Sequence, residues 1–553
     1  MRRSRIAFAI SVAAAALLAV PPAWAIGPGG WSRVGHGATT TTPSLTGGSA
    51  VTALNTDNPG VLYVGGNFTS AGNTDARRIA QWNGTSWSKV GGTSAASTLQ
   101  EGQVFALAYK DGKVYAGGTI HNAGGDALVD FLAVLDITSA PPTWTSPCTS
   151  QQPGVAPFGG NVDSLQIIGN TLYVGGSFQD GARIDAADYL VACDLTTGVA
   201  SPVVDSVGHA FSGPVYALTA DSNGTLYAGG GFNNLEAIPA ADHVARYLGE
   251  GVWQAMGSGP GPSTAAVDTF VRSLTASGTD VYVGTDAVNV AGIANADHVA
   301  RWNGVAWSAV GSDTAGTNGW FSTATAYTID ALETYGSIVV AAGSFQNANG
   351  RVTADNIAYF DGSTWRPVGS NGAGDGPLNA HPTVLGVTGG KVYVGGNFTA
   401  AGGDTLARQV AMYALRLPDN SISTSNAGFT GNGVYSSTAR GESLVDSIRR
   451  GSDDNVYIRI QNDGLVPASF IVKATGGVAG IVDTYFGGGV NVTAKVRAGT
   501  YNTGAIGPGA SRLLRLHVHT KRTARDRTSF LIKSSSVAGT PPDAVRAKIV
   551  TFG

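Results

Sequence analysis

The sequence predicts an all-β protein: a seven-bladed propeller of four-stranded blades, its ring closed by an N-terminal strand, followed by a β-sandwich. Three observations carry this. A short apolar phrase occurs seven times along the chain, ending in a glycine pair in five copies and in Gly284-Thr285 and Ala342-Gly343 in the other two. Glycine is abundant at 79 residues, and it supplies the positive φ that tight turns between short strands require. Charged residues fall to 13%, and no long amphipathic helical pattern is visible after the extreme N-terminus. At 553 residues the chain exceeds one ordinary core, so two or more domains are expected.

Residues 1–25 read as a signal peptide. Arg2, Arg3 and Arg5 precede an apolar run from Ile6 to Val20, and Ala23-Trp24-Ala25 has the small-x-small form of a cleavage site. The run is 15 residues long, short of the roughly 20 that span a bilayer, so a membrane span is not expected. Secretion, with cell-wall association as an option, is the expected localisation. Cys148 and Cys193 are the only cysteines, and in an exported chain they either form one bridge or stay two buried thiols.

The repeat carries most of the fold argument. Leu62-Tyr63-Val64-Gly65-Gly66-Asn67-Phe68 returns as Val392-Tyr393-Val394-Gly395-Gly396-Asn397-Phe398. The marker position falls at Gly65, Gly117, Gly175, Gly229, Gly284, Ala342 and Gly395, with spacings of 52, 58, 54, 55, 58 and 53 residues. A period near 50 favours four-stranded blades. Each copy begins with a short apolar strand: Val51–Leu54, Val104–Leu107, Val162–Leu165, Val215–Leu218, Val271–Leu274, Ile329–Leu332 and Val384–Val387. A tight turn such as Asp111-Gly112 leads to the glycine-pair strand. A third strand, as in His298-Val299-Ala300-Arg301-Trp302, and a fourth, as in Trp307–Val310, complete the unit. Trp82, Trp87, Trp302, Trp307 and Trp365 recur in register, so they read as packing between blades rather than ligand platforms.

The seventh copy ends at Val410-Ala411-Met412-Tyr413 without its own Trp-x-x-Val-Gly strand, while an orphan copy, Trp31-Ser32-Arg33-Val34-Gly35, precedes the first. The N-terminal strand is therefore expected to complete the seventh blade and remove the open edge, with Leu415 to Thr424 as the competitor.

Residues 31–420 resemble Kelch-type propellers: four apolar residues, a diglycine, then two spaced aromatic positions. They are closer still to the propeller repeats of fungal cortical polarity-marker proteins and of secreted bacterial proteins, through Ala296-Asp297-His298-Val299-Ala300-Arg301-Trp302-Asn303-Gly304 followed by Trp307 and Val310-Gly311. This resemblance implies architecture and little about activity, because propellers host many unrelated functions.

Residues 26–420 form the expected propeller, and 421–553 an expected sandwich. In the latter, Val456–Ile460, Ser469–Lys473, Val492–Val496, Leu513–Thr520 and Ser529–Lys533 alternate apolar and polar residues between turns. That stretch resembles the immunoglobulin-like modules of bacterial surface and secreted proteins, which implies an adhesive or spacing role. The two parts differ in charge: 26–420 has 15 Lys and Arg against 29 Asp and Glu, and 421–553 has 16 against 8.

No residue is assigned to catalysis, cofactor or metal. Gly-x-Ser-x-Gly, phosphate-loop and His-Glu-x-x-His patterns do not occur. His517 and His519 share a strand face, but Arg515 lies on that face too and opposes a cation. His243 and His298 occupy equivalent repeat positions, which points to architecture. Long loops at 145–161, 257–270, 311–328 and 369–383 are the places for recognition, and Trp320 and Phe321 lie in one of them, outside the repeat register. They are read as a ligand loop able to stack on a sugar, or as a cover over the core. The expected function is that of a secreted, non-catalytic binding or surface-interaction protein. The propeller is its recognition scaffold and the basic sandwich its wall attachment. Its partners would be an extracellular glycan, a wall polymer or a protein, and not nucleic acid. The alternative is a carbohydrate-active propeller enzyme, resembling the copper radical oxidases or a glycan lyase.

Overall fold

The computed structural model describes residues 30–553, apart from 36–42, 49, 92–98, 206, 209, 234, 236–237, 239, 262–263, 317, 322–326 and 537–541. The expected signal peptide lies outside the described residues. The described chain is all-β apart from short helical turns, and its first part is a propeller-like repeat of four-stranded antiparallel sheets. The first sheet joins Val51–Asn55, Leu62–Gly66, Ile79–Trp82 and Trp87–Ser88 in sequence order. Five further sheets repeat that order, ending with Thr328–Tyr335, Ile338–Ser344, Ile357–Phe360 and Trp365–Pro367.

In the last such sheet Pro382–Thr388, Lys391–Gly396 and Val410–Ala414 are joined by Trp31–Arg33, with Trp31 opposite Tyr413 and Arg33 opposite Ala411. One hydrogen bond marks this N-terminal strand as equivalent to the others. Trp87, Trp307 and Trp365 each donate Nε1–H to a carbonyl of the preceding sheet's outer edge, at Val34, Met256 and Val310. Trp31 makes the same bond to Val368, at 2.9 Å. The competitor segment goes elsewhere: Pro418–Ser423 pairs along its length with Asp453–Asn462 in the C-terminal part. That strand straddles the boundary expected at 420/421.

The marker glycines are explained by close approach between sheets. A Cβ on Gly65 would lie 2.6 Å from Val104 Cγ1, one on Gly117 2.4 Å from Val162 Cγ1, and one on Gly229 2.4 Å from Val271 Cγ1. Each faces the first residue of the next sheet's first strand, and Gly395 meets Val51 Cγ1 at 2.5 Å, joining the last sheet to the first. The sixth copy carries Ala342, and its next neighbour begins not with Val but with Pro382, which pairs with Gly396 as Val51 pairs with Gly66. The seventh first strand is thus two residues out of step with the Val384–Val387 alignment read from the sequence: Pro382, not Val384, occupies the place of Val51.

The C-terminal part has two five-stranded sheets, led by Pro418–Ser423 and Ser443–Arg449, which share one core including Val456, Phe470, Leu516 and Ile549. The expected strand Val492–Val496 is instead the start of a helix, Thr493–Ala498. Val492 and Val496 are four apart, so both reach the core from one helical face, and Gly499 at φ 71° ends the turn. The two parts are packed together. Leu465 shares a buried cluster with Trp31, Tyr413, Leu415 and Leu417, and Tyr413 Oη donates to the Asp463 carbonyl at 2.8 Å.

Candidate functional site

Every one of the seven first strands is broken by a β-bulge at the same place. The extra residues are Thr52, Phe105, Asp163, Tyr216, Arg272, Asp330 and Thr383. A bulge re-aims one side chain without moving the ladder on either side. Here each extra residue is half-buried or exposed, while its chain neighbour on the N-terminal side is buried. Because the first strands of consecutive sheets pack side by side, with Pro382–Thr388 against Val51–Asn55, the seven side chains gather at one end of that array.

The cluster is polar, aromatic and internally bonded across sheets. Arg272 grips Asp286 with two bonds of 2.8 and 2.7 Å and lies 3.9 Å from Asp330. Asp330 in turn meets His381 Nε2 at 2.7 Å and accepts from Thr328 Oγ1 at 2.6 Å. Thr383 donates to the Val51 carbonyl at 2.8 Å, and Thr52 to the Val104 carbonyl at 2.6 Å. Burial raises the Asp163 carboxyl above the usual range, although Ser177 donates to it at 2.6 Å. Beside these lie two exposed rings, Tyr216 at 37% and Phe270 at 47%, in edge contact with each other. Sequence reading missed this group. Its signal is a polar or aromatic residue in the second place of Val-x-x-Leu, which ordinary strand alternation also produces.

The predicted ligand loop is arranged differently. Trp320 and Phe321 are each 1% exposed, with Phe321 edge-on to Trp365 and Phe345, and Trp320 stacked on Trp365. Both therefore cover the sheet core and present no face to a sugar. Cys148 and Cys193 are joined in a disulfide, the bridged of the two states expected from the sequence. His243 and His298 hold φ of 62° and 61°, in the left-handed region, as do Arg78, Phe131, Tyr189, Asn356 and Gln409 at the same place in the other copies. That shared conformation lets each carbonyl accept from the glycine-pair strand, as His243 does from Gly230 and His298 from Thr285, so the role is architectural. His517 and His519 face Asn455 and Asp453 across the strand pair, while Leu514, Leu516 and Val518 fill the core.

Two further features lie in or beside the C-terminal part. A cleft of about 370 Å³ between it and the last sheets is lined by Arg351, Tyr359, Arg366, Tyr413, Tyr435 and Asp463. Asp419, Glu442 and Asp543 form a buried carboxylate cluster, and among the described residues it is the only group with metal-ligand geometry.

No family model matches the chain, and no curated protein matches it. Solved structures similar to parts of it include a family 123 glycoside hydrolase from Clostridium perfringens, at 8% identity over 25% of this chain and 28% of that one, with a TM-score of 0.17. Another is the N-terminal domain of PorA, at 13% identity over 24% and 98% of the two chains, TM-score 0.17. A third is a FixG-related protein from Vibrio parahaemolyticus, at 8% identity over 19% and 82%, TM-score 0.14. This chain spans about 28% of the length of the hydrolase structure. Similarity at this level carries no argument about fold or function.

Proposed function

We propose that this is an exported, non-catalytic binding protein whose seven sheets form a closed seven-bladed propeller, with an immunoglobulin-like sandwich as its attachment module. The observation that carries the recognition role is the bulge cluster. Seven side chains of mixed chemistry converge on one face of a rigid scaffold, with Tyr216 and Phe270 exposed beside Asp163, Arg272 and Asp330. Exposed rings next to fixed hydrogen-bonding groups suit a sugar, whose apolar faces stack while its hydroxyls bond at the edges. An extracellular glycan is therefore the ligand class.

Attachment rests on charge. Arg449, Lys521, Arg522, Arg525 and Arg527 are exposed on neighbouring turns of the sandwich. Those turns lie at the Asp453 end of the strand Asp453–Asn462, whereas the Asn462 end meets Leu417 and Pro418. Nine residues of strand separate the ends, about 30 Å. An anionic wall polymer held there would leave the bulge cluster free.

The test is co-sedimentation of the mature chain with purified cell-wall material at low and high salt, beside a K521E/R522E/R525E variant. Binding that weakens with salt and is lost in the variant supports attachment. Tyr216→Ala and Phe270→Ala should keep wall binding and lose at least tenfold in affinity for any glycan identified on an array. If the protein releases unsaturated oligosaccharide from such a glycan, the Arg272, Asp330 and His381 group belongs to a lyase and the non-catalytic reading fails.

A further inference from the structure

Asp419, Glu442 and Asp543 are far apart in the sequence and meet at one buried point, each offering an oxygen within 4.8 Å of the others. Their exposures are 1%, 0% and 1%. Asp543 is well bonded: Oδ2 accepts from the Asn420 amide at 2.5 Å and Oδ1 from the Ser436 amide at 2.7 Å. Asp419 Oδ2 accepts from the Gly433 amide at 2.9 Å. The remaining oxygens have nothing. Asp419 Oδ1 and both Oε atoms of Glu442 are buried without a hydrogen-bond partner. An unpaired buried carboxylate is among the costliest groups a protein interior can hold. No Lys or Arg side chain makes an ion pair with any of the three among the described residues.

We propose that Asp419, Glu442 and Asp543 bind a calcium ion. Two oxygens of one calcium shell lie at most about 5 Å apart, given bonds of 2.3–2.6 Å, which this spacing satisfies. An all-carboxylate set suits hard cations better than the softer metals, and a cage made mainly of protein favours calcium over magnesium, which retains its waters. Without a cation, burial drives the carboxyls toward the neutral form, with Asp419 pushed up to about 9, Glu442 to about 10 and Asp543 to about 7.

The position says what the ion does. Asp419 lies in the strand that leaves the last four-stranded sheet, four residues beyond Leu415. Asp543 begins the final strand, and Glu442 closes the loop that runs from the first strand of the sandwich. Gly431, at φ 108°, brings that loop over the cluster, where a Cβ would stand 3.3 Å from Glu442 Oε1. Calcium would tie the linking strand, the loop and the last strand together, bracing the joint between the two parts of the molecule.

The test uses the full mature chain, stripped with chelator and dialysed, with calcium chloride or magnesium chloride as the only additions. Titration calorimetry should find one calcium site per chain. Calcium, and not magnesium, should raise Tm by about 5 °C at a hundredfold excess over Kd. Amide exchange should slow at 418–423, 431–442 and 543–545 on calcium addition. Glu442→Gln, close in shape, should weaken calcium binding at least tenfold. Absence of calcium binding overturns the proposal, as does protection confined to other segments, or an E442Q chain that binds as tightly as the parent. The exchange experiment needs no variant, so a misfolded E442Q does not leave the question open.

Discussion

Replacing Trp31 tests the role of the N-terminal strand. The side chain is fully buried, its ring lies 5.4 Å from that of Tyr413, and its Nε1–H is bonded to the Val368 carbonyl. Trp31→Ala removes the ring from a packed site, which costs about 3–5 kcal/mol, and that range includes the unpaired carbonyl left behind. Trp31→Phe keeps most of the packing and forfeits the hydrogen bond, for about 1–2 kcal/mol. Trp365→Ala is the internal standard, because Trp365 holds the equivalent place between two other sheets and bonds the Val310 carbonyl. Urea unfolding followed by tryptophan fluorescence, with limited proteolysis alongside, reads all three. W31A and W365A should lose similar stability, and W31A should become sensitive to protease within the last sheet. If W31A stays within about 1 kcal/mol of the parent while W365A loses about 4, the N-terminal strand is an appendage and the edge-closure argument is wrong.

Further outcomes follow from other contacts. Gly117→Ala puts a Cβ 2.4 Å from Val162 Cγ1, so it should destabilise by about 1–3 kcal/mol, and G117A/V162A should recover part of that in a double-mutant cycle. Reduction of the Cys148–Cys193 disulfide, which closes a 45-residue separation, should cost about 2–4 kcal/mol by denaturation with and without reductant. Burial lowers the pKa of His298, whose ring meets the Thr285 carbonyl at 3.3 Å while Nε2 has no partner. Below about pH 6.5 the unfolded chain takes up a proton that the folded one refuses, so stability falls as pH drops from there. His298→Asn suits the same backbone, as Asn356 does in the next copy, and should flatten that part of the pH profile in thermal melts.

The repeat was legible because a constraint applied once per copy leaves the same residues at a fixed period. The approach of the marker glycine to the first residue of the next sheet is such a constraint, and the copy that departs from it carries Ala342 and is followed by a strand that begins with Pro382. The N-terminal strand was legible for the same reason, since its Trp31 must do what Trp87 and Trp365 do. The bulge residues were hidden because a bulge changes register without demanding a residue type. Trp320 and Phe321 left two readings open because loop position says nothing of burial. Val492–Val496 fits both strand and helix periods over five residues, and only tertiary packing decides. Asp419, Glu442 and Asp543 are separated by 23 and 101 positions, and nothing local marks them as neighbours.

The seven bulges have an evolutionary consequence. The backbone at this point is the same in every copy, yet the side chains are Thr, Phe, Asp, Tyr, Arg, Asp and Thr. Inter-sheet packing falls on the marker glycines and the residues they face, while the extra residues touch the neighbouring sheets through side-chain bonds, as Thr52, Thr383 and Arg272 do. Under the proposed recognition role, a substitution at such a position would change the chemistry of the face at the cost of those bonds and not of the glycine contacts. On that proposal a lineage carrying this scaffold could be retargeted one position at a time, each step leaving the glycine packing between sheets in place.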